Sequence, residues 1–174
     1  MHFTSTLMAL VAASSVAVAS PTVYLIRHGE KPADGSNGLT AQGMQRAQCL
    51  RNVFGASSGY NIQAILTQDY KKDGSRERPY DTVKPLADDL GITIDHSCDR
   101  DDPTCVQNKV DSYSGSGNIL ICWEHKALTD IVSALGDANA PDYPSDHYDI
   151  IWTDPSPYTD ITSMTSENCP GLDN

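Results

Sequence analysis

The segment Val23-Tyr-Leu-Ile-Arg-His-Gly-Glu30 constrains the fold more than any other part of the chain. An apolar run rich in β-branched and aromatic residues ends abruptly in Arg27, His28, Gly29 and Glu30. Such a run reads as a buried strand that delivers a guanidinium and an imidazole to its C-terminal edge. Gly29 then lets the backbone turn and approach a ligand closely. Arginine keeps its fork of donors charged at any biological pH, so the pattern favours an anion such as phosphate beside the histidine.

The remaining pattern alternates strand-like and helix-like runs. Strands are predicted at 22–27, 62–67, 92–95, 118–123 and 148–152. A first helix starts with Thr40 as N-cap and reaches about Phe54, with Ala47, Leu50, Val53 and Phe54 at helical spacing. Val83, Leu86, Ala87 and Leu90 make a second stripe, stopped by Gly91. Pro103 opens a short third helix to Val110, and Leu128 to Leu135 form a fourth, closed by Gly136. This alternation implies an α/β fold, a three-layer α/β/α sandwich with a mostly parallel sheet. Segments 31–38 and 68–77 are rich in Gly, Asp, Ser and Lys and follow strand ends, where ligand loops of open α/β sheets belong. Residues 155–174 have no periodicity and are expected to drape on the surface or stay loose. The organisation is then a leader at 1–19, one domain at 20–154 and a polar tail at 155–174.

Residues 1–19 read as a secretory signal. Positions 7–18 are mostly apolar but too short to span a bilayer, and Ala17-Val18-Ala19 fits small-x-small cleavage before Ser20, although the leader lacks Lys and Arg. No other segment is long and apolar enough for a membrane anchor, so the mature protein is expected to be secreted, extracellular and free of membrane. The formal charge of −11 argues against nucleic acid as a partner. Arg27 and Lys31 lie together, and Lys71, Lys72, Arg76 and Arg78 fall close in sequence, which would make a positive mouth on an acidic body if the segments converge. Lys71 and Lys72 read equally well as a solvated loop. Five cysteines are an odd number. Cys98 and Cys105 flank a short polar loop and form the best disulfide candidate, Cys122 reads as a buried thiol, and Cys49 would pair with Cys169 if the tail folds back. No Cys-x-x-Cys spacing suggests a metal, and no N-glycosylation sequon occurs.

Taken together, the motifs resemble the histidine phosphatase superfamily, whose fold is phosphoglycerate-mutase-like. The strand ending in Arg27-His28-Gly29 resembles the family signature. Leu39-Thr-Ala-Gln-Gly43 with Arg46-Ala47-Gln48 is similar to the segment entering its first helix. Arg78-Pro-Tyr-Asp-Thr82-Val83 is similar to the segment carrying its second pocket arginine, and Asn118-Ile-Leu-Ile-Cys-Trp-Glu-His125 to the strand carrying its second histidine. These markers cover roughly residues 22–152 in family order. The resemblance implies strand order 3-2-4-1-5, with the first and fourth strands adjacent, and no large cap domain.

It also implies chemistry. His28 would attack a phosphoryl group to form phosphohistidine, with Arg27, Arg78 and His125 binding the phosphoryl oxygens. Glu30 would orient or neutralise the arginine pair. The long polar loop before Arg78 leaves Arg76 as an alternative second arginine. For protonation of the leaving group, Asp95, Asp99, Asp101 and Asp102 are available, and Asp99, beside Cys98, is the chosen candidate. Glu124 is expected to point away from the pocket by strand alternation. No cofactor and no metal are expected. The function expected is a secreted phosphatase acting on small phosphorylated substrates. The alternatives are a catalytically weak phospholigand-binding or interaction protein, and a phosphomutase, which the small chain and open pocket disfavour.

Overall fold

The structure, a computed structural model, describes residues 20–173. The expected leader at 1–19 lies outside them. Along the chain the elements are β1 (Thr22–Arg27), α1 (Ala41–Val53), β2 (Ile62–Gln68), α2 (Arg78–Leu90), β3 (Asp95–Cys98), α3 (Pro103–Asp111), β4 (Asn118–Trp123), α4 (His125–Leu135), β5 (Ile150–Pro155) and β6 (Ser163–Ser166). The sheet order is β3-β2-β4-β1-β5-β6. The first four of these strands are parallel, whereas β5 and β6 add antiparallel pairings at one edge. The expected three-layer fold and strand order are therefore observed, extended by β6.

Strand alternation divides the core. Val23 and Leu25 of β1, with Ile119, Ile121 and Trp123 of β4, face α3 and α4 through Val106, Val110, Leu128 and Ile131. Ile26, Leu120 and Cys122 point to the other face, against Leu50 and Phe54 of the α1 region and Val83 and Leu86 of α2. Cys122 is a buried thiol, as its place inside an apolar strand suggests. Thr40 caps α1 by accepting from the Gly43 N–H. Gly43 has a second duty: a Cβ there would sit 2.6 Å from the Glu30 carbonyl oxygen, so only glycine lets α1 lie on that backbone.

Several expectations differ from the structure, among them β5, which runs over Ile150–Pro155 rather than 148–152. The strand-like Ile92-Thr-Ile94 is spent on ending α2, because Gly91 adopts a left-handed conformation and the Ile92 N–H donates back to Ala87. Consequently β3 begins only at Asp95. Helix α4 starts at His125 rather than Leu128, because Glu124 caps it. The aperiodic tail is ordered: β6 pairs with β5, and Cys169 is bonded to Cys49 of α1. Cys98–Cys105 also forms. Loop closure over a sequence separation of 120 restricts the unfolded chain by about 5 kcal/mol, against about 2.5 kcal/mol for a separation of 7. The tail bond is the stronger staple.

One polar group opposes this packing. Asp154 on β5 is fully buried, and neither carboxylate oxygen has a hydrogen-bond partner among the described residues. Burial, with Asp137 and Asp160 nearby, raises its pKa from 3.8 to about 7. Between those values the folded protein keeps a proton that the unfolded chain has released. The contribution of Asp154 to stability is thus most favourable below about pH 4 and declines as pH rises toward 7. Asp154→Asn is expected to raise the melting temperature near neutral pH more than near pH ~4. Thermal melts that move equally at both pH values would contradict this account.

Candidate active site

Parallel strands that lie side by side end at the same edge of a sheet. Arg27 of β1 stands opposite Trp123 of β4, and the His28 N–H donates to the Trp123 carbonyl at 3.1 Å, one residue beyond the strand. His28 leaves β1, and His125 opens α4, at this shared edge. Both imidazoles are buried.

The orientation of His28 is set locally. Its Nδ1 lies 2.7 Å from the Gly29 carbonyl oxygen. A carbonyl can only accept, so Nδ1 carries the proton and Nε2 keeps its lone pair. Burial is the main cause that lowers the His28 pKa to about 3, and Arg27, Arg78 and His125 add to it against the raising effect of the Gly29 carbonyl. His28 is therefore a neutral imidazole at physiological pH. The following turn is pinned by Thr82, whose hydroxyl accepts from the Gly29 N–H at 2.8 Å and donates to the Arg78 carbonyl at 2.7 Å.

Arg27 and Arg78 are held by neutral groups. Arg27 Nη1 donates to the carbonyls of Ser145 and His147, and its guanidinium lies 3.8 Å over the Tyr148 ring. Its Nε is buried without a partner among the described residues. Burial lowers its pKa, opposed chiefly by Tyr148 and Tyr143. Arg78 donates from Nε to Gly38 and from Nη2 to Ser36, and so ties the 31–38 loop to α2. Among the described residues neither arginine forms an ion pair with a carboxylate. Their charge is therefore not neutralised by a directly paired carboxylate at the edge where His28 sits. The alternative arginine, Arg76, is engaged elsewhere, with Asp99 at 2.8 Å and Asp101 at 3.5 Å.

Other expectations need correction. Glu30 does not pair with Arg27 or Arg78; both its oxygens are gripped by Arg46 of α1. Asp99 is half of an exposed ion pair with Arg76, and the Asp101 backbone N–H and Arg76 lower its pKa. Both effects hold it ionised, the opposite of what a proton donor requires. Glu124 does not point away, because β4 ends at Trp123 and alternation no longer applies. Its carboxylate caps Lys126 and stands 2.8 Å from His125 Nδ1, too bent an approach for a hydrogen bond, so the contact is electrostatic. Burial and Arg27 lower the His125 pKa, while Glu124 opposes them. Lys71 and Lys72 are exposed. Among the described residues no group of three or more His, Cys, Asp or Glu could hold a metal ion.

Arg46, Thr82 and Tyr148 are the participants that sequence reasoning missed. Arg46 and Thr82 lie in segments matched by motif but were given no role; Arg46 left a physical signal as well, since it shares the buried face of α1 with Gly43, Ala47 and Leu50, where a charged side chain must have a partner. The His28 ring resonances are expected to show no titration between about pH 5 and 8, since burial places the midpoint near 3. A midpoint at about 6.5 in an NMR titration would contradict the assigned environment.

Comparison with protein-family profiles and with curated sequences gives no match. Solved structures do match. The protein histidine phosphatase SixA complexed with tungstate aligns with a TM-score of 0.61 at 15% identity, covering 84% of this chain and 97% of that one. A protein from Agrobacterium tumefaciens assigned as a phosphohistidine phosphatase SixA gives 0.58 at 15% identity, covering 84% and 98%. A protein from Escherichia coli assigned as an alpha-ribazole-5'-P phosphatase gives 0.59 at 16% identity, covering 85% and 97%. At such identities the likeness is one of architecture, and the chain has the phosphoglycerate-mutase-like fold of the histidine phosphatases.

Proposed function

We propose that this protein is a secreted phosphatase that works through a phosphohistidine on His28. The observation that carries the reading is the Nδ1–Gly29 hydrogen bond in a buried, neutral imidazole, which leaves Nε2 as the nucleophilic atom. Nε2 attacks phosphorus, a P–N bond forms, and the bond to the leaving group breaks. The Gly29 carbonyl accepts from Nδ1 more strongly as the ring gains positive charge. Arg27, Arg78 and His125 bind the phosphoryl oxygens. Water then attacks phosphorus, the P–N bond breaks, and His28 returns to its neutral form with release of inorganic phosphate.

With Asp99 held ionised by Arg76, the site favours substrates whose leaving group needs little help from an acid. Aryl phosphates and phosphohistidine itself meet that condition, and SixA, the phosphohistidine phosphatase, is among the structural neighbours. The paired cysteines and the leader-like residues 1–19 support export to an oxidising compartment.

His28→Ala is expected to abolish both phosphate release from an aryl phosphate and labelling of the protein with phosphate. Arg27→Ala and Arg78→Ala should each lower kcat on the order of 10²–10³-fold. Arg76→Ala should leave the aryl phosphate rate nearly unchanged. Activity retained by the His28 variant would end the proposal, and a single burst of labelling without turnover would instead favour a phospholigand-binding protein. Rates measured with a chelator are expected to equal those without it, since the two arginines already supply the positive field.

A further inference from the structure

We propose that Arg46 is a positioning residue for His28, and that the Cys49–Cys169 disulfide holds Arg46 in place through residues 167–173; this rests on His28 being the nucleophile. Arg46 is fully buried on α1. Its Nε and Nη2 grip Glu30 at 2.8–3.2 Å, its Nη1 donates to Glu167 at 2.6 Å, and its Nη2 also donates to the Leu172 carbonyl at 2.8 Å. Asp173 lies 3.6 Å away. One guanidinium thus joins the segment after β1 to the end of the chain.

The first of those partners touches the catalytic geometry. The carbonyl that receives His28 Nδ1 belongs to the peptide joining Gly29 to Glu30. Thr40 holds the far side of Glu30, its N–H donating to the Glu30 carbonyl at 2.9 Å, and Gly43 packs on the same backbone. With Arg46 on the side chain, Glu30 is fixed at both ends. The tautomer of His28 depends on this peptide staying where it is.

The second set of partners comes from the tail. Cys169 is bonded to Cys49, in the helical turn following Arg46. The Cys169 N–H donates to Asp173 at 3.1 Å, and the Leu172 N–H donates to the Cys169 carbonyl at 3.0 Å. The disulfide therefore anchors the loop that carries Glu167, Leu172 and Asp173. A buried guanidinium that loses such partners must turn toward water or remain uncompensated. Either outcome loosens Glu30 and frees the Gly29 carbonyl. The arginines that bind phosphate are not part of this network, so the effect should fall on kcat more than on KM.

The test uses the protein carrying Cys98→Ala and Cys105→Ala, so that Cys49–Cys169 is the one bond that reduction breaks. The ¹⁵N shifts of the His28 ring report its tautomer directly, and aryl phosphate hydrolysis reports rate. Reduction is expected to convert a single Nδ1–H form into a mixture and to lower kcat roughly 10- to 100-fold, with KM nearly unchanged. Reoxidation should restore both. Arg46→Lys with the disulfide intact should shift the tautomer the same way, because an ammonium cannot reproduce the fork on Glu30. If reduction unfolds the protein, the Arg46→Lys and Glu167→Gln variants decide the question by the same ring shifts. A lower melting temperature with unchanged tautomer and rate would overturn the proposal and leave the network purely structural. Absence of phosphate release from the oxidised protein would instead refute the phosphatase reading, and the ring shifts would still decide whether Arg46 positions His28.

Discussion

The parallel register of β1 against β4 is the constraint on which the site depends. With Arg27 opposite Trp123, the two strands end level, and the His28 N–H extends their ladder by one further bond. Two histidines from distant parts of the chain then start from one edge. The same register directs Leu25, Ile121 and Trp123 into one core layer and Ile26 and Cys122 into the other. A slip of one residue would exchange those faces along the whole strand. Core packing and the placement of the candidate site are thus set by a single pairing.

Charge is distributed unevenly over this frame. The protein is strongly acidic, yet Arg27 and Arg78 are held by carbonyl groups and an aromatic ring. Carboxylates pair with Arg46, Arg51 and Arg76 instead. Neutral acceptors fix a guanidinium in place without cancelling its field. Burial of His28 beside that field keeps the ring uncharged, and the Gly29 carbonyl decides which nitrogen bears the proton. An edge built this way suits a bound anion.

Arg46 ties the segment after β1 to the tail. One guanidinium faces three carboxylates, Glu30, Glu167 and Asp173. Burial opposes its charge, but the hydrogen bonds to Glu30 and the charge of Glu167 outweigh that and raise its pKa. Burial also raises the Glu167 pKa, with Asp173 and Asp149 adding to it and Arg46 only partly opposing. Such a cluster specifies one arrangement rather than adding much stability. The tail disulfide, with its long loop, supplies the stability that the cluster does not.

The fold class and the exact limits of β1 and β4 were legible in the chain, because apolar runs bounded by polar or glycine residues are local signals; the strand order came with the family resemblance. The chain also pointed to His28, Arg27, Arg78 and His125, which sit at strand ends or open helices. Asp99 and Glu30 were read by neighbourhood along the chain, and their partners came from elsewhere: Arg76 across a loop and Arg46 on α1. Glu124 was read by strand alternation, which lapses where β4 ends at Trp123. The tail was least legible. Ser163–Ser166 has no strand-like periodicity of its own, and the edge of β5 makes it a strand. These points were settled by folding, because the partner of a polar group is chosen by three-dimensional proximity, and that proximity leaves no period in the sequence.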